Sequence, residues 1–334
     1  MYEEHPFAPY VRILGKGRKG SRGLTQQEAY DSMNMILKGE VEDLQLGAFL
    51  MLLRVKEETP EEIAGFVQAC RDSFNVPSNH TQIDLDWSSY AGKRRQLPWF
   101  ILSALLLASN GIRVLMHGTE GHTEGRVYTR DTLKLLGLPV CESYEMANQQ
   151  IEANNFAYIP LEVMSGLMHD IIQMRPLLGL RSPVHTVARM FNPYKAPYLI
   201  QGIFHPTYSD THQVAAQLIG EQHMAVLKGE GGEIERNPDN TTRVKSVHDG
   251  ELSEEDWGPL FSGPRHLRDE EMDIARLREV WEGKQDDEYG IASVTGTVAI
   301  ILKLMGKAKD QSEAQQMAET MWKNRPLNRF VAAA

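Results

Sequence analysis

Trp87-Ser88-Ser89-Tyr90-Ala91-Gly92-Lys93-Arg94-Arg95-Gln96-Leu97-Pro98-Trp99-Phe100 is the stretch on which the reading of the fold turns. Before it stands a short alternating apolar run, Ile83 and Leu85, and an apolar segment from Leu97 to Ala108 completes it. Strand, turn and helix in that order make the place in an α/β sheet where an anion is held, because the first amides of the helix and its dipole face it. A glycine-rich turn is the usual occupant, since a residue without Cβ lets a phosphate approach the backbone. Within this turn only Gly92 remains, followed directly by Lys93, Arg94 and Arg95. The position suits a phosphate site, and the small-molecule cradle reads as rebuilt.

Outward from that stretch the period of the pattern changes. Residues 5–75 read as helices: Thr25 and Thr59 each precede a glutamate by three residues, the capping-box spacing, and Pro60 fits a first helical turn. Val76-Pro77-Ser78-Asn79 is turn-rich. Beyond it, short apolar runs (112–116, 156–160, 197–204, 223–228) alternate with helical segments (128–136, 142–154, 208–220), which predicts βαβ units and a mostly parallel sheet. Segments 167–174 and 182–191 read as helical, 235–290 as loop-rich and acidic, and 291–305 and 312–323 as the last helices. The fold class expected is α/β with a small all-α N-terminal domain and a central sheet flanked by helices. The helical domain spans 1–77, and 78–334 forms the α/β domain.

The chain has 334 residues, 42% apolar and 24% charged, enough to bury a core without metal or disulfide help. Cys70 and Cys141 are too few for a disulfide framework or a four-ligand zinc site, and buried thiols in a reducing cytoplasm are expected. No early apolar segment follows Glu3 and Glu4, and 97–108 is too short to span a bilayer, so a cytoplasmic protein with no membrane partner is expected. The net charge of −10 excludes a uniformly basic protein, but it is unevenly spread. Three windows hold no acid: 5–27 with Lys16, Arg18 and Lys19; 87–119 with Lys93, Arg94 and Arg95; and 171–209 with Arg175, Arg181 and Arg189.

The order of motifs resembles the anthranilate phosphoribosyltransferase family, whose fold is shared with pyrimidine nucleoside phosphorylases. The resemblance rests on Gly39-Glu40-Val41 to Arg54-Val55-Lys56, Val114-Leu115-Met116-His117-Gly118, Leu135-Leu136-Gly137, Met174-Arg175, Leu178-Gly179-Leu180-Arg181-Ser182, Asn192-Pro193 and Gly306-Lys307-Ala308. It implies a helical domain completed by about 165–195, a homodimer through the helical domains, and an interdomain cleft for phosphoribosyl pyrophosphate, magnesium and an aromatic amine. It also implies where chemistry is degraded. The family's Gly-Thr-Gly-Gly-Asp diphosphate turn falls on Ser88-Ser89-Tyr90-Ala91-Gly92, and its phosphate-contacting Asn-x-Ser-Thr falls on Pro98, Phe100 and Ile101. After His117-Gly118 the asparagine and arginine become Thr119 and Glu120. The metal-binding Asp-Glu pair falls near Glu233-Ile234-Glu235, with Glu233 the one carboxylate to offer a metal. The amine-pocket histidine becomes Val163, while the arginine that meets the substrate carboxylate is kept as Arg175.

Two functions are expected from this. The first is non-catalytic, sequence-nonspecific binding of single-stranded DNA or RNA through a basic cleft of Lys16, Arg18, Lys19, Lys93, Arg94, Arg95, Arg175 and Arg181, as in a divergent branch of the family; spread cations suit phosphodiesters. Tyr90 could stack on a base, whereas Trp99 belongs to the core. It needs no cofactor. The alternative is a phosphoribosyltransferase with an altered donor site built on Ser88, Ser89, Tyr90, Gly92, His117, Gly118 and Thr119, requiring magnesium; no residue stands out as catalytic.

Overall fold

The computed structural model describes residues 3–17, 19–263 and 268–330. Four helices come first: α1 (Ala8–Gly15), α2 (Gln26–Leu37), α3 (Asp43–Lys56) and α4 (Pro60–Ser73). Thr25 and Thr59 close capping boxes with Glu28 and Glu62, as their spacing predicts. Glu62 also reaches across to Leu24 N–H at 2.8 Å, tying the start of α4 to the start of α2.

The α/β part alternates as expected. Its elements are β1 (Leu85–Ser89), α5 (Trp99–Ser109), β2 (Val114–Gly118), α6 (Thr129–Leu135), α7 (Tyr144–Asn154) and β3 (Phe156–Pro160). Short helices α8 (Leu161–Met164), α9 (Gly166–Gln173), α10 (Arg175–Leu178) and α11 (Val184–Val187) follow. They lead to β4 (Tyr198–Ile203), α12 (Tyr208–Ile219) and β5 (His223–Lys228). The chain then forms β6 (Thr242–His248), β7 (Glu251–Trp257), α13 (Ala275–Trp281), α14 (Glu288–Leu304) and α15 (Gln311–Lys323).

The seven strands lie in the order β3-β2-β1-β4-β5-β6-β7; the first five are parallel and β6 and β7 run antiparallel. Every residue of β1, β2 and β3 is buried, as befits parallel strands covered on both faces. One core joins the N-terminal helices to one sheet face, from Phe7 and Phe49 through Leu115 and Ile159. The other packs α5, α14 and α15 on the opposite face around Trp87 and Trp99. Trp99 is fully buried, and Gly290 of α14 lies so close that a Cβ there would sit 2.5 Å from the indole.

Two expectations are corrected. The turn expected on Ser88–Gly92 begins later: β1 runs through Ser89, so the turn proper is Tyr90–Gly92. The segment read as loop-rich, 235–290, holds the β6–β7 hairpin and α13. Successive strands leave β1 on one side toward β3 and return on the other as β4, and this switch point is where open α/β sheets place ligands, beyond the strands' carboxyl ends. No helix among the described residues is long and apolar enough to cross a membrane.

Candidate anion-binding cleft

At the switch point the chain's own carboxylates accept the backbone amides that such a turn and helix start offer to an anion. Ala91 and Gly92 point their N–H groups into the turn, with Gly92 at φ 69°, a conformation glycine adopts without strain. Both donate to Glu233 Oε1, at 2.7 and 2.6 Å, and Ser89 Oγ donates to Oε2 at 2.9 Å. Glu233 is fully buried, delivered from the loop after β5. Gly202 and Gly229 permit that approach, since a Cβ on either would meet the backbone of residues 232–235 at 2.6 Å or less.

The helix start is closed as well. Phe100 N–H, in the first turn of α5, donates to Glu235 Oε2 at 2.9 Å, and Leu97 N–H donates to Asp269 at 2.7 Å. A negative charge there is favoured by the helix dipole. Glu235 in turn holds Lys93 Nζ at 2.5 Å, with Glu230 at 3.4 Å, and Lys93 is fully buried. Burial alone would lower the pKa of Lys93; Glu235 and Glu230 reverse that and raise it, keeping the ammonium charged. Lys93 is therefore not available to a nucleic acid, in contrast to the expectation from its neighbours Arg94 and Arg95, which are exposed.

Tyr90 is buried too, against the expectation that it could stack on a base. Its hydroxyl meets His117 Nδ1 at 2.7 Å, and His117 Nε2 meets Asp86 Oδ1 at 3.0 Å. Because a carboxylate only accepts, Nε2 carries the proton, and in the neutral imidazole Nδ1 then accepts from Tyr90 O–H. Ser88 is buried beneath this chain, and Gly118 ends β2 where a Cβ would meet Ser89 O at 2.0 Å. Thr119 Oγ1 contacts His169 Nδ1 at 3.0 Å, and Glu120 is held by Arg130 at 2.6 Å.

Around the cleft gathers an arginine cluster, part-buried at Arg126, Arg175 and Arg181 and buried at Arg189. Arg126 donates to Ala91 O at 2.6 Å and to Gly92 O and Gly231 O; its Nε is buried with no partner. Arg175 donates to His122 O at 2.8 Å and to Thr123 Oγ1, which Arg181 also reaches, at 3.3 Å. Arg189 donates to Gly202 O and Gly232 O at 2.7 and 2.8 Å. Every one of these acceptors is neutral, and among the described residues none of the four guanidiniums forms an ion pair within 4 Å. Burial, then Arg126, Arg175 and Arg189, push the Arg181 pKa down to about 10. Arg181 and Arg189 line a cavity of about 150 Å³ with Arg54, Glu58, His185 and Tyr208, and burial raises the pKa of the Glu58 carboxyl.

Of the cations named from sequence, the structure brings Arg175 and Arg181 into this cleft. Lys16 and Lys19 are exposed on the connection from α1 to α2, and Arg18 lies outside the described residues. Glu233 and Glu235 do not fit a magnesium site, because their oxygens already accept from Ser89, Ala91, Gly92, Lys93 and Phe100. Arg126 and the capping role of Glu235 were missed by sequence reasoning. Arg189 stood in the third acid-free window, and that was its one signal.

Buried neutral histidines surround the cluster and make its stability pH-dependent. His122 donates Nε2–H to Tyr90 O at 2.8 Å; burial above all lowers its pKa to about 4, and burial likewise depresses His185. Between pH 6.5 and about 4 the unfolded chain takes up protons that the folded one refuses, so stability falls as the solution is acidified. Each such group contributes a slope of up to about 1.4 kcal/mol per pH unit in that window. Urea midpoints measured from pH 7 to 4.5 should fall, and His122→Asn should flatten the slope; an unchanged slope would remove His122 from this account.

The described helices correspond to a helical-bundle domain of the glycosyl transferase family matched at residues 10–74, and the sheet region to that family's a/b domain matched at 101–324. The chain is 27% identical over 316 residues to an anthranilate phosphoribosyltransferase of Geobacillus kaustophilus, covering 92% of each. It is 31% identical over 225 residues to an uncharacterized protein of Aquifex aeolicus, covering 66% of this chain and 68% of that one. By structure it resembles anthranilate phosphoribosyltransferase from Thermus thermophilus (TM-score 0.78, 21% identity, 96% of this chain and 94% of that one). The Saccharomyces cerevisiae enzyme in complex with PRPP and Mg gives a TM-score of 0.79 at 17% identity, covering 98% and 96%. With both domains matched in order along one continuous chain, this protein belongs to glycosyl transferase family 3 and is anthranilate phosphoribosyltransferase-like.

Proposed function

We propose that this chain is a phosphoribosyltransferase-like protein that takes a phosphorylated ligand on its arginine cluster, through a donor site altered from the family's. The observation that carries this reading is Arg126, Arg175, Arg181 and Arg189 gathered in one cleft with neutral partners. Buried like charges are costly; Glu233 acts on Arg189 alone of the four, so the cluster keeps an excess of positive charge that a bound anion would offset. Guanidiniums suit phosphate oxygens by geometry as well as charge. Glu233 closes the amide turn, so a diphosphate would be held by the arginines and not by main chain. In a transfer reaction the bond from ribose C1 to pyrophosphate oxygen breaks, a bond to the acceptor nitrogen forms, and that nitrogen loses a proton; the arginines would stabilise the departing pyrophosphate. No step is assigned to magnesium.

A second reading is favoured by exposed Arg94 and Arg95: a phosphodiester strand is also a phosphorylated ligand, and these two guanidiniums would extend its path. One set of measurements separates the two. Arg181→Gln should weaken binding of whichever ligand is correct by about 10–100-fold while leaving stability unchanged or raised, since a like charge is removed. Pyrophosphate release from phosphoribosyl pyrophosphate with an aromatic amine supports the transferase. Binding of a single-stranded oligonucleotide with a negative log–log salt slope, and no release, supports the second reading. If neither ligand binds, or Arg181→Gln binds as well as wild type, the cleft is not the site.

A further inference from the structure

At the far side of the sheet the hairpin register assembles a different set of ligands. His223 opens β5 and His248 closes β6, and the antiparallel pairing sets the two directly opposite each other. The next residues, Asp249 and Gly250, both have positive φ, 51° and 79°, the requirement of the tight two-residue turn that matches strand twist. Gly250 N–H donates to Gln222 O at 3.3 Å, anchoring that turn to the residue before β5. The turn brings the Asp249 carboxylate to both rings: His223 Nε2 lies 3.6 Å from Oδ1 and His248 Nε2 3.5 Å from Oδ2. One ligand atom from each of the three residues falls within 4.8 Å of the others. The ring of His223 is held by stacking on Tyr198, centroids 4.8 Å apart and planes at 23°.

We propose that His223, His248 and Asp249 bind a transition-metal dication of the zinc class, with water completing its coordination. Atoms each about 2.1 Å from a common ion are about 3.4 Å apart; the His223–Oδ1 and His248–Oδ2 distances of 3.6 and 3.5 Å are close to that, and a small rotation of the carboxylate would present one oxygen to both rings. Imidazole nitrogen selects zinc, nickel or copper over magnesium and calcium, which want oxygen. No other trio of His, Cys, Asp or Glu within this reach occurs among the described residues. The bound ion would tie β5 to the β6–β7 hairpin, far in chemistry from the arginine cleft, and the inference does not rest on the function proposed there.

The test is a titration of tag-free protein with zinc against a chromophoric chelator, with nickel in parallel and magnesium as control, for wild type, His223→Ala, His248→Ala and Asp249→Asn. Asparagine is chosen because it tolerates the left-handed backbone at that position. Wild type should bind one zinc ion, each histidine variant at least about tenfold more weakly, and magnesium should not compete. Zinc should also raise the melting temperature of wild type and not of His248→Ala, a readout independent of the chelator. The proposal is overturned by zinc affinity unchanged in both histidine variants, or by absence of a one-to-one complex in wild type.

Discussion

Glu233→Ala is expected to destabilise the fold by about 3–5 kcal/mol, and added pyrophosphate or sulfate should restore part of that loss in the variant but not in wild type. The magnitude follows from two buried donors, the N–H groups of Ala91 and Gly92, losing their acceptor at once, while Ser89 Oγ–H can turn to Thr129 Oγ1 at 2.6 Å. Each stranded buried donor costs about 1–3 kcal/mol, and water entering the vacated space recovers some of it. The expected rescue follows from geometry: two convergent main-chain amides beside Arg189 form an anion site whose tenant has been deleted. Glu233→Gln separates shape from charge. Its amide oxygen can still accept from both N–H groups, so it should lose less stability and gain no anion response. Urea unfolding with and without each anion is the measurement. Equal anion responses in Glu233→Ala and wild type would mean that the turn has lost its affinity for anions, and that Glu233 is ordinary packing.

Lys93→Ala should cost about 3–5 kcal/mol, because it leaves Glu235 buried without its counter-ion. Arg94→Ala and Arg95→Ala should each fall within about 0.5 kcal/mol of wild type, as exposed substitutions do. This asymmetry separates three consecutive cations that the sequence places together in one basic cleft. Replacing the pair, as Lys93→Met with Glu235→Leu, should recover much of the single-variant loss, though Phe100 N–H then lacks its acceptor. A loss below about 1 kcal/mol for Lys93→Ala would show that Glu235 is solvated or finds another donor.

The framework was legible because its signals are local. Thr25 and Thr59 announce helix starts by spacing alone, and Leu97–Ala108 is apolar on every side because α5 lies between the sheet and α14. The hairpin was missed although Asp249-Gly250 is a strong two-residue turn signal: Ser253, Glu254, Glu255 and Asp256 make β7 look like solvated loop, since that strand lies at the border of the sheet. Lys93 was misread for a different reason. Three adjacent cations look alike in a sequence, and what separates them is Glu230 and Glu235, about 140 positions away, which only the folded register brings to Lys93 Nζ. That the turn holds a single glycine is visible in the sequence; that Glu233 accepts that turn's amides is not, because a carboxylate that meets a metal and one that meets main chain have the same letter.

The outermost strand, β7, presents Glu251, Glu254 and Asp256 to water along a ladder whose far side has no neighbour among the described residues. A second copy approaching edge to edge would bring like carboxylates within a strand spacing of one another. Sheet growth from molecule to molecule is thereby discouraged at neutral pH.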